Sequence, residues 1–305
     1  MYKKGKHFVS QEWGLEVRGH EHFDFIDINL NNDNRLFIDP SRIEESRHPS
    51  AEECVKTMRS FFDELFRIYR TGSDAQKLTI LSHAGEQNVT HLGYGYPGKG
   101  HTDYGLLEIL KPLEKLIKKI PTIEVAQDLP VLIEGFAEDG MSDLLTNVLH
   151  LRLNEYTLAQ MKKYGVSPNG KTSFYGWNTS TSTWEHYDAQ PCYKYLGYPI
   201  MLVPKEFVRK KYLFSTSQYL RRIIIERMRN GGVGFDADNK PIPKTQFLKY
   251  HVPHDTASWM YDEVLSYTTS HPEALQEYHR KLPDFYSING TAMKNEDIDA
   301  VIYRK

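Results

Sequence analysis

Residues 129–147 read LPVLIEGFAEDGMSDLLTN, in which a short apolar run gives way to acidic residues and then to a helical pattern. The run at 129–135 predicts a buried strand. The apolar residues after Ser142 recur at helical spacing, and this helix is expected to begin at Ser142 and end at Gly165. A strand that leads into a helix is typical of α/β proteins. The stretch therefore predicts an α/β or α+β fold with a mixed central sheet and flanking helices.

Four further segments carry patterns of secondary structure. Residues 23–38, FDFIDINLNNDNRLFI, place two β-prone runs around an Asn/Asp cluster, which predicts an N-terminal β-hairpin. Residues 51–70 and 106–119 have the apolar spacing of amphipathic helices. Residues 77–82 form a short β-prone run. Together these patterns predict a sheet with the hairpin at its N-terminal end.

Changes in composition divide the chain into three parts. Residues 1–165 hold the predicted α/β core with its N-terminal hairpin. Residues 166–191 are rich in Ser, Thr, Asn and Gly without clear periodicity, which predicts a loop-rich junction. Residues 192–305 begin with a short strand and continue as mostly helical patterns. We expect this C-terminal region to pack on the core.

The overall composition excludes several classes of protein. With 305 residues, 40% of them hydrophobic, the chain can bury a large core. Its 38 Lys and Arg nearly balance its 40 Asp and Glu, so no global charge attracts nucleic acid or membranes. Two distant cysteines fit a reducing compartment, and no run approaches the roughly 20 apolar residues of a membrane span. These features predict a cytoplasmic protein that does not contact membranes.

The acidic residues of the opening stretch are the first candidates for a functional site. Glu134 lies in the predicted apolar strand, where a buried carboxylate is costly unless it is paired or bound to metal. Asp139 and Asp143 follow within one loop and one helical turn. Asp39, at the end of the predicted hairpin, and Glu86, before a glycine-rich loop, are further candidate ligands. Oxygen ligands of this kind predict a site for Mg²⁺ or Mn²⁺.

A polar stripe on the predicted helix extends this site. Asp143, Asn147 and His150 recur at positions i, i+4 and i+7, and His150 is a candidate for moving a proton. Each acid also has an alternative structural explanation. A helix dipole favours Asp143 in the first turn, and Asp39 followed by Pro40 is also a turn or helix-start signal.

Basic residues supply candidates for binding phosphate or nucleic acid. The segment 205–229 is the most strongly basic part of the chain and contains interleaved aromatic residues, which favours nucleic-acid contacts. A solvated helix face explains part of this pattern equally well. The glycine-rich loop GYGYPGKGH at 93–101 resembles phosphate-binding loops only in part, and a plain tight turn is the alternative. The candidate phosphate-binding residues are Lys99, Lys205, Arg209, Lys210, Arg221 and Arg222.

These observations favour one function and leave two others open. The leading hypothesis is a metal-dependent, nuclease-like phosphodiester hydrolase of nucleic acid or nucleotides, with Glu134, Asp139, Asp143 and His150 as catalytic residues. A non-catalytic nucleic-acid-binding or regulatory subunit is the first alternative. A nucleotide-binding protein that uses the loop at 93–100 is the second. A protein partner or a homo-oligomer is also open.

Overall fold

The computed structural model describes residues 5–94, 102–236, 238, 240–288 and 292–304. The N-terminal elements are α1 (Val9–Glu12), β1 (Phe37–Ile38), α2 (Pro40–Glu45), α3 (Ala51–Thr71), α4 (Asp74–Leu81), α5 (Asp103–Leu110), α6 (Leu113–Lys119), α7 (Asp128–Leu132), α8 (Glu138–Val148) and α9 (His150–Lys163). The strands that follow are β2 (Gly170–Asn178), β3 (Thr183–Tyr195), β4 (Tyr198–Ile200) and, after a 3-10 turn at Lys205–Phe207, β5 (Val208–Arg209).

The C-terminal part is helical. It consists of α10 (Thr216–Tyr219), a π-helical turn at Leu220–Ile224, α11 (Ile225–Met228), a second π-helical turn at Arg229–Val233, α12 (Lys244–His251), α13 (Trp259–Ser270), α14 (Glu273–Ile288) and α15 (Asn295–Ile302). None of the helices in the described ranges is both long enough and apolar enough to cross a bilayer.

The predicted combination of β-structure with flanking helices is confirmed, and the sheets are small and antiparallel. β2, β3 and β4 form one three-stranded sheet, and β1 pairs with β5 in a second sheet of two strands. The helices expected at 51–70 and 106–119 are present, the second divided between α5 and α6. The expected helical C-terminal part is also present.

The predicted N-terminal hairpin is wrong. Its two runs do not pair with each other, because Phe25 pairs with Pro204, Asn29 with Phe8, and Phe37 with Arg209. Residues 25–30 are all buried, so the segment runs through the core instead of presenting one face to solvent.

A long hairpin forms instead where the sequence predicts a loop-rich junction. β2 pairs with β3 from Gly170 opposite Cys192 to Asn178 opposite Thr183, with a bulge between Thr172 and Phe174. Most of the hairpin's residues are exposed or half-buried. Its composition is therefore polar, and the alternating apolar pattern of a half-buried strand is missing.

Two further predicted strands are helical. Residues 77–82 fall mainly in α4, which Ser73 and Gln76 begin with a reciprocal capping box. The apolar run at 129–135 is covered by the short helix α7 and an extended Ile133. The next helix, α8, begins four residues before the predicted start. Ser142 is buried inside it and accepts a hydrogen bond from the Ile38 backbone N–H at 3.0 Å.

Residues near the C-terminus satisfy buried carboxylates in the N-terminal half. The Tyr286 hydroxyl donates to Asp39 and the Tyr303 hydroxyl donates to Asp27, each at 2.7 Å. A third contact of 2.6 Å joins His279 Nε2 to Asp128. An ionised carboxylate removed from water needs such donors, so these contacts bind the C-terminal helices to the core.

We expect Tyr286→Phe to lower the free energy of unfolding by about 1–3 kcal/mol at pH 8, because Asp39 loses a donor inside the core. Burial raises the pKa of Asp39 to about 6. The hydroxyl favours the ionised carboxylate, so the loss should be smaller at pH 5, where Asp39 is protonated. Urea unfolding at both pH values measures this. Tyr250→Phe, at an exposed tyrosine, is the matched control, and an equal effect of the two variants would contradict the assignment.

Candidate functional site

Two loops meet the start of α8 at the acidic part of the opening stretch. The Asn34 backbone N–H and side-chain Nδ2 both donate to the carbonyl of His91 at 2.8 Å. The Gly93 N–H donates back to the carbonyl of Asn34 at 2.9 Å. One residue later, the Tyr94 N–H donates to Asp139 Oδ1 at 3.3 Å. The loop at 31–36, the loop at 82–94 and the first turn of α8 therefore form one edge.

Gly93 allows the second loop to approach the Asp139 carboxylate closely. Its φ is +133°, a conformation that side chains disfavour, and a Cβ there would lie 2.8 Å from Asp139 Oδ1. His91, two residues earlier, also has a positive φ, of 51°. A non-glycine residue in this region is uncommon and is strained unless its surroundings hold it. The loop is therefore held in an unusual shape beside the acid.

The charges of three carboxyl groups act on a fourth, Asp143, at this edge. The pKa of Asp143 is raised to about 8, first by burial and then by the charges of Asp139, Glu86 and Asp33. The pKa of Asp33 is also raised by burial, although His91 and a hydrogen bond from Asn88 oppose that rise. Neighbouring like charges at a half-buried site favour a bound proton or cation. We call Asp33, Glu86, Asp139 and Asp143 the acidic cluster.

The helix face beside the acidic cluster holds two unsatisfied buried atoms. Asn147 is fully buried, and its Nδ2 donates to the carbonyls of Gly85 at 2.7 Å and Asp143 at 3.0 Å. Its Oδ1 has no hydrogen-bond partner among the described residues, and neither has His150 Nδ1. Six other buried side-chain atoms of the described residues also lack a partner. A ligand, ion or water can satisfy such atoms, and these two are the ones beside the acidic cluster.

His150 is held as a neutral ring. It stacks on Phe174 of β2 with centroids 4.0 Å apart and planes 11° apart. Burial lowers its pKa to about 4, so the imidazole carries no charge at neutral pH. A neutral imidazole can donate or accept a hydrogen bond at Nδ1, depending on its tautomer.

The structure brings together only some of the residues predicted for the site. Asp139, Asp143 and Glu86 meet in the acidic cluster. Glu134 follows a helix, not a strand, and is exposed, where it accepts a hydrogen bond from the Ser258 hydroxyl. It is not among the acids whose charge acts on Asp143. The argument that Glu134 is a carboxylate buried in a strand is therefore wrong.

Asp39, a predicted metal ligand, is a helix cap, whereas Asp33, which was not predicted as a ligand, lies in the acidic cluster. Asp39 is fully buried and caps α2, accepting hydrogen bonds from the Ser41 and Arg42 N–H groups, as its helix-start alternative predicts. Asp33, which lies in an Asn/Asp cluster typical of a turn, belongs to the acidic cluster. Asn/Asp clusters are common in turns, so only the fold distinguishes this one.

The basic candidates are spread over several elements. Lys99 lies outside the described residues, as does most of the glycine-rich loop. Lys205 donates to the His20 carbonyl and to Asn295, and Arg222 donates to Gln218. The Arg209 guanidinium lies over the Tyr286 ring, whereas Lys210 and Arg221 are exposed. Nucleic-acid binding by these residues stays a prediction.

The atoms at the acidic cluster that could bind a metal ion are carboxylate and amide oxygens. Over the described ranges, no group of three or more His, Cys, Asp or Glu side chains is arranged so that it could hold a metal ion. Mg²⁺ usually takes only one or two carboxylates and completes its octahedron with waters and substrate phosphate. Carboxylate and amide oxygens are the types of ligand that such a site uses.

One comparison with known proteins finds a family. A family model described as a domain of unknown function, DUF8370, matches residues 14–215. This match spans about two thirds of the chain and includes the acidic cluster, Asn147 and His150. The chain therefore belongs to that family. No curated protein and no solved structure shows significant similarity to this chain.

We expect Asp143→Asn to stabilise the protein at pH 8 in the presence of EDTA. The raised pKa means that the folded state binds a proton more tightly than the unfolded state, so wild-type stability should fall as pH rises from about 4 to about 8. Asparagine cannot ionise, so the free energy of unfolding of the variant should fall by about 1–3 kcal/mol less than that of the wild type over this interval. Urea unfolding at several pH values measures the difference.

The control for this measurement is Asp188→Asn, at an exposed aspartate of β3. Its stability should follow pH as the wild type does. Parallel curves for Asp143→Asn and the wild type would show that Asp143 ionises normally in the folded protein.

Proposed function

We propose that this protein is a hydrolase of phosphodiester bonds in nucleic acid or nucleotides and uses Mg²⁺ or Mn²⁺ held at the acidic cluster. One observation carries the proposal: a fully buried amide oxygen, Asn147 Oδ1, has no partner among the described residues one helical turn from Asp143. Asp143 itself is crowded by like charges. A divalent cation would bind the unpartnered amide oxygen and offset the negative charge around Asp143.

The residues of the cluster would divide the work of binding. Asp139 is fixed by the Tyr94 N–H and by the close approach of Gly93, so its carboxylate is already oriented. Asp143 would give up its bound proton if a cation took that place. The two hydrogen bonds that Asn147 Nδ2 donates hold the side chain in place, and its Oδ1 would serve as a ligand. Preorganised ligands of this kind lower the cost of binding a cation.

Catalysis needs a Lewis acid, an oriented phosphate and a path for a proton. When bound, Mg²⁺ or Mn²⁺ supplies polarisation of a phosphate oxygen and a lower pKa for water. His150 remains a candidate for handling a proton, and its low pKa favours the neutral ring as a hydrogen-bonding group. The exposed Lys210 and Arg221 are candidates for contacting a nucleic-acid backbone. We place the reaction in the cytoplasm, in keeping with two free cysteines.

A titration with Mg²⁺ or Mn²⁺ tests the ion site. We expect either ion to raise the melting temperature of the wild type in a saturable way, because a ligand bound only to the folded state stabilises it. The response should be lost in Asp143→Asn and in Asp139→Asn. Asp188→Asn, at an exposed aspartate on β3, should respond as the wild type does. Differential scanning fluorimetry provides the readout.

Glu134→Gln tests whether Glu134, which the sequence predicts as a ligand beside Asp139 and Asp143, takes part in binding the ion. If this variant loses the response and Asp143→Asn keeps it, the ion is bound elsewhere and our placement is wrong.

A cleavage assay tests the reaction. Single-stranded DNA, single-stranded RNA and a cyclic dinucleotide should be incubated with the wild type and Mn²⁺. We expect cleavage of at least one substrate, with a loss of at least about 100-fold in Asp143→Asn, in keeping with the several kcal/mol that a catalytic ion supplies. Ion binding without cleavage of any phosphodiester would contradict the hydrolase proposal. Nucleic-acid binding without ion binding would favour the non-catalytic alternative.

A further inference from the structure

A cavity of about 300 Å³ lies between the long hairpin, α3 and α4. This volume is at the lower end of small-molecule sites, about 300–1,000 Å³. Its apolar lining comes from Trp177 and Trp184 of the hairpin with Ile68 and Ile80 of the helices. Its polar lining includes the side chains of Gln76, Thr79, Ser82 and Thr183. The cavity thus combines aromatic and aliphatic surface with groups that form hydrogen bonds.

The two indole rings are fixed in place by the protein. Trp177 and Trp184 are cross-strand partners, with centroids 5.5 Å apart in an edge-to-face arrangement. The Trp177 indole N–H donates to the Ser60 hydroxyl at 3.1 Å, and the Trp184 indole N–H donates to the Ile80 carbonyl at 2.8 Å. Both N–H groups are used and Trp177 is only 3% exposed, whereas Trp184 is half-buried. The carbon surface offered to a ligand therefore comes chiefly from Trp184, in a fixed orientation.

One short loop joins this cavity to the acidic cluster. Ser82 and His83 line the cavity, and the His83 ring stacks on Tyr175 of β2 at 3.6 Å. Two residues further on, Gly85 accepts the hydrogen bond from Asn147, and the charge of Glu86 acts on Asp143. Only Ala84 and Gly85 separate His83 from Glu86, so the two are at most about 11 Å of extended chain apart.

Strand β2 connects the same two places. Phe174 stacks on His150 beside the acidic cluster, and Trp177 lines the cavity. Side chains alternate along a strand, so residues three apart lie on opposite faces. The two rings therefore mark places about 10 Å apart along β2, on opposite faces of the hairpin.

We propose that this cavity binds an unpaired nucleobase of the substrate. A base has two apolar faces that stack on aromatic rings and a polar edge that forms hydrogen bonds, which matches the lining. Bases within a duplex are stacked and paired, so the substrate class is single-stranded nucleic acid or a nucleotide. This inference rests on the proposed function and names the substrate class for the same site.

Adenosine and cytidine test the cavity without phosphate or metal. In EDTA, each nucleoside should quench the tryptophan fluorescence of the wild type with saturation. Thr79→Tyr, at an exposed helical position in the lining, should fill the cavity and weaken binding at least about ten-fold. Thr183→Tyr should do the same from the hairpin side, so the result does not depend on one variant. Thr269→Tyr, at an exposed position of α13, is the matched control and should bind as the wild type does.

Three results would overturn the assignment. They are linear quenching without saturation, equal affinity in both lining variants and the wild type, and binding of indole without binding of either nucleoside. The test is also separate from that of the proposed function. Nucleoside binding without any response to Mg²⁺ or Mn²⁺ would retain the base site and refute the hydrolase, whereas cleavage without nucleoside binding would refute only the base site.

Discussion

A carboxylate that leaves water must be given hydrogen-bond donors by the protein, and the packing of this fold depends on how that need is met. Asp27, Asp39 and Asp128 are buried at the centre of the N-terminal half. Backbone N–H groups supply some donors to each of them. The Ser10 hydroxyl also donates to Asp27, and one further contact to each acid comes from Tyr303, Tyr286 or His279, far away in sequence. The apolar core is large, but these three contacts determine which helices lie against which acids.

The acidic cluster is the exception to this pattern. Asp143 is crowded by three other acids, whereas Asp39 is surrounded by donors from α2 and α14. Nearby, Asn147 and His150 each keep a buried polar atom without a partner in the described part of the chain. Sites where a protein leaves groups unsatisfied are typically those where a ligand completes them.

The predictable parts of the fold are those in which one local pattern decides the structure. The helix Ala51–Thr71 follows from its amphipathic spacing, because one face contacts the core and the other contacts water. Residues 128–132 are buried on all sides, so no periodicity separates helix from strand. The hairpin β2–β3 is exposed over most of its length, and polar strands resemble loops in composition. For the site, Asp139 and Asp143 were within reach of sequence reasoning because they are neighbours on one turn. Asp33 was not, because only long-range contacts bring its loop to α8.

The family match ends at residue 215, yet Tyr303, Tyr286 and His279, which contact Asp27, Asp39 and Asp128, all lie beyond it. A boundary of sequence similarity is therefore not a boundary of folding in this protein. A fragment cut at 215 would keep every member of the acidic cluster and lose three contacts to acids in its own core. Any relative built on the same N-terminal half must provide equivalent donors, whether from its own C-terminal segment, from another chain or by replacing the acids. The C-terminal helices are thus an integral part of the domain and not an appendage to it.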